Sequence, residues 1–242
     1  MSESSVARWP QHYARLCGFF YLYIIVAGIF AELFVRAKLV IPTEASATAH
    51  NILSHESLFR IGFSGEILHL SFDVMVAVIL YALLRPVDRS IALLAAFMRF
   101  ACDLILAVAS MSHFAALKLL HGGAALESFS SGQLHSLALW VMNLHGDAYA
   151  ISLVFFGFAC LALGHLLFYS DFLPKALGVL LALAGVCYLF TSFAQFLDPA
   201  FAQRLFPVFF IPCFVGELGF ALWMLVKGVK VEKWRERALT QD

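Results

Sequence analysis

Apolar residues run through this chain in stretches of about twenty, the length that crosses hydrocarbon at about 1.5 Å per helical residue. The stretches lie at roughly residues 16–36, 59–84, 90–117, 145–169, 174–197 and 205–228. They predict an all-α polytopic membrane protein, a bundle of six transmembrane helices forming one domain over residues 1–242. Polar punctuation separates them. Arg85-Pro86-Val87-Asp88-Arg89 and Asp171-Phe172-Leu173-Pro174-Lys175 read as tight charged turns, and 37–58 and 118–132 as longer polar loops. The run 133–143 is too short to span alone, so it lies in the interface or extends the fourth helix.

Composition agrees with the pattern. Of 242 residues, 62% are apolar and 13% charged, with a mean hydropathy of +0.87. A soluble globule is about 25% charged and has too much surface to cover with so few charges; lipid removes the difficulty. The formal net charge is zero and no basic block appears, so nothing points to a nucleic acid partner. Cys17, Cys102, Cys160, Cys187 and Cys213 sit singly in apolar runs with no C-x-x-C pair, which reads as packing rather than a disulfide framework or zinc ribbon. The first apolar run follows Arg8 and Arg15, as in a signal peptide, but has no small-x-small cleavage site and reads as a retained helix.

The basic residues suggest an orientation. Arg8, Arg15, Arg85, Arg89, Lys175, Lys227, Lys230, Lys233, Arg235 and Arg237 fall on one side. Arg36, Lys38, Arg60, Lys118 and Arg204 fall on the other, and Arg99 lies within a span. The positive-inside bias puts both termini in the cytoplasm of a cell inner membrane.

Ionisable residues inside the spans carry the chemistry. At 100° per residue, Glu66, His69 and Asp73 share one face of the second helix, and Arg99, Asp103, Ser110 and His113 one face of the third. Tyr21, Gly28 and Glu32 align on the first, His145, Tyr149 and Ser152 on the fourth, and Tyr188, Thr191, Ser192 and Gln195 on the fifth. Charge facing lipid at the bilayer centre costs about 2.5–3.5 kcal/mol on insertion scales, so these stripes face inward. Counting about 1.5 Å per residue from the cytoplasmic ends puts Asp73, Arg99 and Glu217 at one depth, with Arg99 bridging the carboxylates. Glu32, Glu66, His69 and Asp103 crowd the outer half, as if lining an outward-opening polar cavity. Pro212 removes a helical hydrogen bond near Glu217 and predicts a kink in the sixth helix, which also carries Pro207.

The segments ARLCGFFYLYIIVAGIFAELFVR (14–36), TAHNILSHESLFRIG (48–62), LYALLRPVDRSIALLAAFMRF (80–100), FFG (155–157) and LPKALGVLLALAG (173–185) together resemble the bacterial membrane proteins of domain-of-unknown-function family 4386. The resemblance covers most of the chain and implies a multi-helix membrane protein. It supplies no substrate, cofactor or catalytic residue, and marks Glu32, Asn51, Glu56, Arg60 and Arg99 as motif positions.

Three functions remain open. The first is binding, or transport, of a small polar or lipid-like ligand on Glu32, Glu66, His69, Asp73, Arg99, Asp103 and Glu217. The second is a metal-dependent enzyme acting on a lipid-like substrate, with Glu66, His69, His113 and His145 as the first metal candidates and Asp103 beside them. Its Glu66-x-x-His69 occurs once, where di-iron bundles use two copies. The third is a structural or accessory subunit whose buried charges join helices. The bilayer is the one partner the sequence identifies; cofactor and oligomeric state stay open. The charge asymmetry makes a topological prediction: in intact cells, cysteines introduced at positions 45 and 125 will react with an impermeant thiol reagent and one at position 235 will not. Labelling of all three from the same side rejects the orientation.

Overall fold

The computed structural model describes residues 9–240, the side chains of Phe206 and Pro207 excepted; Arg8 and the Pro207 side chain therefore lie outside the described residues. Among the described residues every long element is helical. In chain order these are α1 (Trp9–Leu39), α2 (Ala45–Ser54), α3 (Glu56–Leu84), α4 (Arg89–His121), α5 (Ser131–Tyr169), α6 (Lys175–Leu197), α7 (Pro199–Val226) and α8 (Val231–Leu239). A short 3-10 turn, Ala124–Leu126, separates α4 from α5. Six helices are long and apolar enough to cross a membrane: α1, α3, α4, α5, α6 and the Val208–Val226 part of α7. This is a multi-pass helical membrane protein.

The helix ends follow from local chemistry. Asp88 Oδ1 accepts from the Ile91 N–H at 2.9 Å and so caps α4. Ser130 and Gln133 form a reciprocal capping box: the Ser130 N–H donates to Gln133 Oε1 at 2.8 Å and the Gln133 N–H to Ser130 Oγ at 3.4 Å. That box starts α5 at Ser131, so the run 133–143 is its opening turns rather than an interfacial segment. Asp198 caps α7 through the Phe201 N–H at 3.1 Å, with Pro199 at the first helical position, where its missing donor costs nothing. The helix runs unbroken past Pro212.

Three segments differ from the sequence expectation. Residues 37–58 are not simply a loop: α2 lies inside them and α3 begins at Glu56. Within α1, Phe30–Arg36 is a π-helical segment. The charged tail, beyond the last predicted span, forms α8, in which Trp234 is buried. Its indole N–H donates to the Leu83 carbonyl at 2.8 Å and its ring meets Trp9 edge-on at 4.7 Å.

Packing divides the chain into two compact units. The first comprises the described parts of 1–25, 72–103 and 152–242. Its core includes Cys17, Tyr21, Leu80, Leu83, Leu163, Leu166, Phe172, Leu181 and Phe220. Glycines set the register of α5 against α6. Gly157 and Gly164 lie seven residues apart, as do Gly178 and Gly185, so each pair presents one helix face. The helices run antiparallel, and Gly157 meets Gly185 while Gly164 meets Gly178. A Cβ on Gly178 would come within 2.6 Å of the Gly164 carbonyl oxygen, and one on Gly185 within 2.7 Å of the Gly157 carbonyl oxygen. Without a hydrophobic force between helices in lipid, this close backbone packing is a main source of attraction. The second unit comprises 26–71 and 104–151, with a core of Val35, Leu39, Ile52, Phe59, Ala116, Leu117, Ala138 and Met142.

Gly178→Ala is expected to destabilise the detergent-solubilised protein by about 1–3 kcal/mol, the usual penalty for overpacking. Gly219→Ala, where an added Cβ meets nothing within 4 Å, is expected to be neutral or slightly stabilising because alanine favours helix. Thermal unfolding of the two variants side by side checks the pair.

Candidate functional site

In the first unit the polar groups converge on Arg99, which is 1% exposed. α3 supplies Asp73, whose Oδ1 accepts from Arg99 Nε at 2.8 Å and also from Nη2. Arg99 Nη1 donates to the Tyr21 hydroxyl of α1 at 3.5 Å. Aromatic rings take the guanidinium faces: its central carbon lies 4.6 Å from the Tyr21 ring centre and 5.1 Å from that of Phe156 on α5. Glu217 of α7 does not receive Arg99 through a bond of its own, contrary to the expected bridge. It is held by two tyrosines: Tyr21 donates to Oε2 at 3.3 Å, and Tyr188 of α6 donates to Oε1. Tyr21 is therefore the link, accepting from arginine and donating to glutamate. Asp103 is buried in the same unit, and among the described residues its Oδ2 has no hydrogen-bond partner, as is true of Ser192 Oγ. A cavity of about 10 Å³ borders Arg99, room for a single water molecule.

The second unit holds a different arrangement. α3, α4 and α5 bring Glu66, His113 and His145 together, with one ligand-type atom from each lying within 4.8 Å of the others. His145 Nε2 lies 3.0 Å from Glu66 Oε1, and His113 Nδ1 lies 3.6 Å from Glu66 Oε2. The imidazole rings meet edge to face, with centres 4.6 Å apart. His113 and His145 are buried, and among the described residues no partner lies within hydrogen-bond geometry of the His113 Nδ1. Arg36, at the end of the π-helical segment, contacts His145 Nδ1 and also pairs with Glu32 through Nε at 3.3 Å.

The contacts assign a tautomer. Arginine offers only donors, so His145 Nδ1 must accept. The imidazole proton then sits on Nε2 and is donated to Glu66 Oε1.

Of the expected site residues, Asp73 and Arg99 meet directly, Glu217 joins them through Tyr21, and Glu66 gathers His113 and His145. His69 stands outside that metal-type group among the described residues; an added Cβ on Gly28 would lie 4.0 Å from its ring. Glu32 does not join a buried set: its side chain is 58% exposed. The 100° count fails there because the wider π turn, with i→i+5 bonds, shifts the phase of every later residue. Arg36 was missed as a site residue for the same reason, and no signal in the sequence marks the π turn. Tyr21 and Tyr188 were seen only as parts of stripes, since a tyrosine bridge depends on ring direction rather than spacing.

Fold and site together define a multi-pass helical membrane protein with polar clusters buried among its helices. The chain belongs to the family described as Domain of unknown function (DUF4386), which matches residues 16–228. It is also similar to an uncharacterized protein of Archaeoglobus fulgidus, with 28% identity over 169 residues, 70% of this chain and 85% of that one. No solved structure matches it.

Arg99→Ala leaves the Asp73 carboxylate buried without its cation and is expected to cost about 3–5 kcal/mol of stability. Arg99→Lys should lose part of this, because a point charge cannot reproduce the fork or lie flat between two rings. Glu32→Gln, at an exposed position, should stay within about 0.5 kcal/mol of wild type. Denaturant titration in detergent measures all three, and an Arg99→Ala protein as stable as wild type rejects the pairing.

Proposed function

We propose that this protein, set in the cell inner membrane with both termini cytoplasmic, holds a divalent metal ion on Glu66, His113 and His145 and through it binds a polar or lipid-like molecule. The observation that carries this reading is the convergence of one carboxylate oxygen and two imidazole nitrogens, from three helices, within 4.8 Å. Tetrahedral zinc with bonds of about 2.0–2.1 Å separates its ligand atoms by about 3.3 Å. The two Glu66 oxygens lie 3.6 Å and 3.0 Å from the His113 and His145 nitrogens, and the three ligand-type atoms within 4.8 Å of one another, so side-chain adjustment would have to close the set to that spacing. The buried His113 Nδ1, without a hydrogen bond, is the kind of atom a metal satisfies. Two histidines and a glutamate leave a fourth position for water or ligand, as in catalytic zinc sites. Imidazole ligation favours zinc over magnesium or calcium.

Arg36 opposes the ion. Metal on His145 Nε2 expels the proton there, and Nδ1 then carries an N–H that faces another donor. Loading the site therefore requires Arg36 to leave His145, with Glu32 already beside it as a second partner. The closed Arg36–His145–Glu66 contacts also favour a second reading, a charge network that only joins helices. Hydrolysis of a lipid-like substrate by the metal's bound water is a further step that would need a base beside the fourth position.

Metal analysis separates these readings. Purified protein exposed to zinc and desalted is expected to keep about one ion per chain. His113→Ala and His145→Ala should each lose it, with affinity falling at least about tenfold, as even outer-shell changes do at metal sites. Arg36→Gln should bind more tightly than wild type, because a competing cation is gone. Affinity should fall as pH drops, since protons compete with the metal for imidazole nitrogen. Wild-type protein that keeps no zinc, with Arg36→Gln no better, leaves the helix-joining network as the answer.

A further inference from the structure

A cavity of about 470 Å³ opens in the second unit where α3 begins and α4 ends, lined by Arg60, Phe114, Leu117, Lys118, His121 and residues 122–126. We infer that it receives the phosphate headgroup of an anionic phospholipid, an assignment that does not depend on the metal reading. Its volume falls within the ordinary range of small-molecule sites.

The charges argue for an anion. Glu56 is engaged on both oxygens: Oε1 accepts from Arg60 at 2.7 Å, and Oε2 lies 3.1 Å from His121 Nε2. That leaves Lys118 with no carboxylate partner among the described residues. Arg60 and Lys118 bring two positive charges against the one carboxylate of Glu56. Two glycines are part of the lining. Gly122 and Gly123 take φ of 69° and 134°, and a Cβ on either would meet nothing within 4 Å. Glycine is required there by the backbone conformation, and its missing side chain leaves the space open.

The rest of the lining argues for a lipid over a free anion. Phe114 and Leu117 form an apolar wall on α4 beside the cations, so one cavity offers both a charged end and a hydrocarbon end. Arg60 and Lys118 sit near the ends of apolar helices long enough to span, where basic side chains meet lipid headgroups. A phosphate between Arg60 and Lys118 leaves the acyl region to Phe114 and Leu117.

The test uses the full chain in nanodiscs of mixed phosphatidylglycerol and phosphatidylcholine, with retained lipid counted by native mass spectrometry. Wild type is expected to retain phosphatidylglycerol preferentially. Lys118→Ala and Arg60→Ala should each reduce that retention about fivefold, the weight of one basic residue near a membrane surface, while Lys118→Arg preserves it. Helical content measured by circular dichroism confirms that the variants are folded. Equal retention of the two lipids overturns the proposal, as does retention unchanged in both alanine variants. If inorganic phosphate alone displaces the lipid at comparable concentration, the site takes a free anion and the lipid assignment fails.

Discussion

Arginine cannot shed its charge in a low-dielectric interior, so each face and donor of Arg99 must be answered by the protein. Asp73 of α3, Tyr21 of α1 and Phe156 of α5 meet it directly, and Glu217 of α7 and Tyr188 of α6 join through the Tyr21 hydroxyl, so the network around α4 draws on all six long apolar helices. Apolar packing between lipid-solvated helices is nearly indifferent to rotation, because one hydrocarbon surface resembles another. A buried guanidinium is not indifferent. Turning any of these helices by one residue, about 100°, removes a partner and strands a charge. The glycine contacts of α5 with α6 fix how near two backbones come; the Arg99 cluster fixes which faces they turn inward.

The cluster on Glu66 obeys the same rule less completely. Around Arg99 the cation has a carboxylate, a hydroxyl and two rings, which makes it a joint between helices. Around Glu66, the His113 Nδ1 is buried without a hydrogen bond and His145 is held by a cation that can be drawn toward Glu32. A joint gains from every atom being answered. A site keeps something unanswered until its ligand arrives. By that criterion the difference lies at the charge itself: the Arg99 guanidinium is answered on its faces and by a carboxylate, while the nearby Asp103 Oδ2 and the His113 Nδ1 of the other network are each left without a hydrogen bond among the described residues.

Six spanning helices were legible in the sequence because length and hydropathy alone define them, and so was the inward turn of Asp73 and Arg99, since lipid forbids the alternative. The ends were less legible. Ser130-Ser131-Gly132-Gln133 carries a capping signal that starts α5, yet its serines and glycine read equally well as loop. The antiparallel glycine pairs were visible as residues, but only pairing α5 with α6 reveals that 157 meets 185 and 164 meets 178. Glu32 was named from the sequence, but its exposure and the contact of Arg36 with His145 were not recoverable, because a π turn breaks the 100° count that face assignments rest on. His69 fell on the expected face yet stands apart from the metal-type group, which shows the limit of spacing: it assigns a side of a helix, not a neighbour.

The π turn in α1 then connects local backbone to site chemistry. Isolated π segments are rare because their geometry is poorer than that of the α-helix, and they persist where side-chain contacts reward the wider turn. Here the rewards are identifiable. Val35 is buried in the core of the second unit, in space that Gly62 leaves free; a Cβ on Gly62 would come within 2.8 Å of Val35 Cγ2. One residue later, Arg36 reaches both Glu32 and His145. Under the proposed metal reading, freeing His145 would remove one of these contacts and leave Val35 and Glu32 to hold the turn. A single arginine, Arg36, thus ties the π turn of residues 30–36 to the Glu66 cluster through its contact with His145.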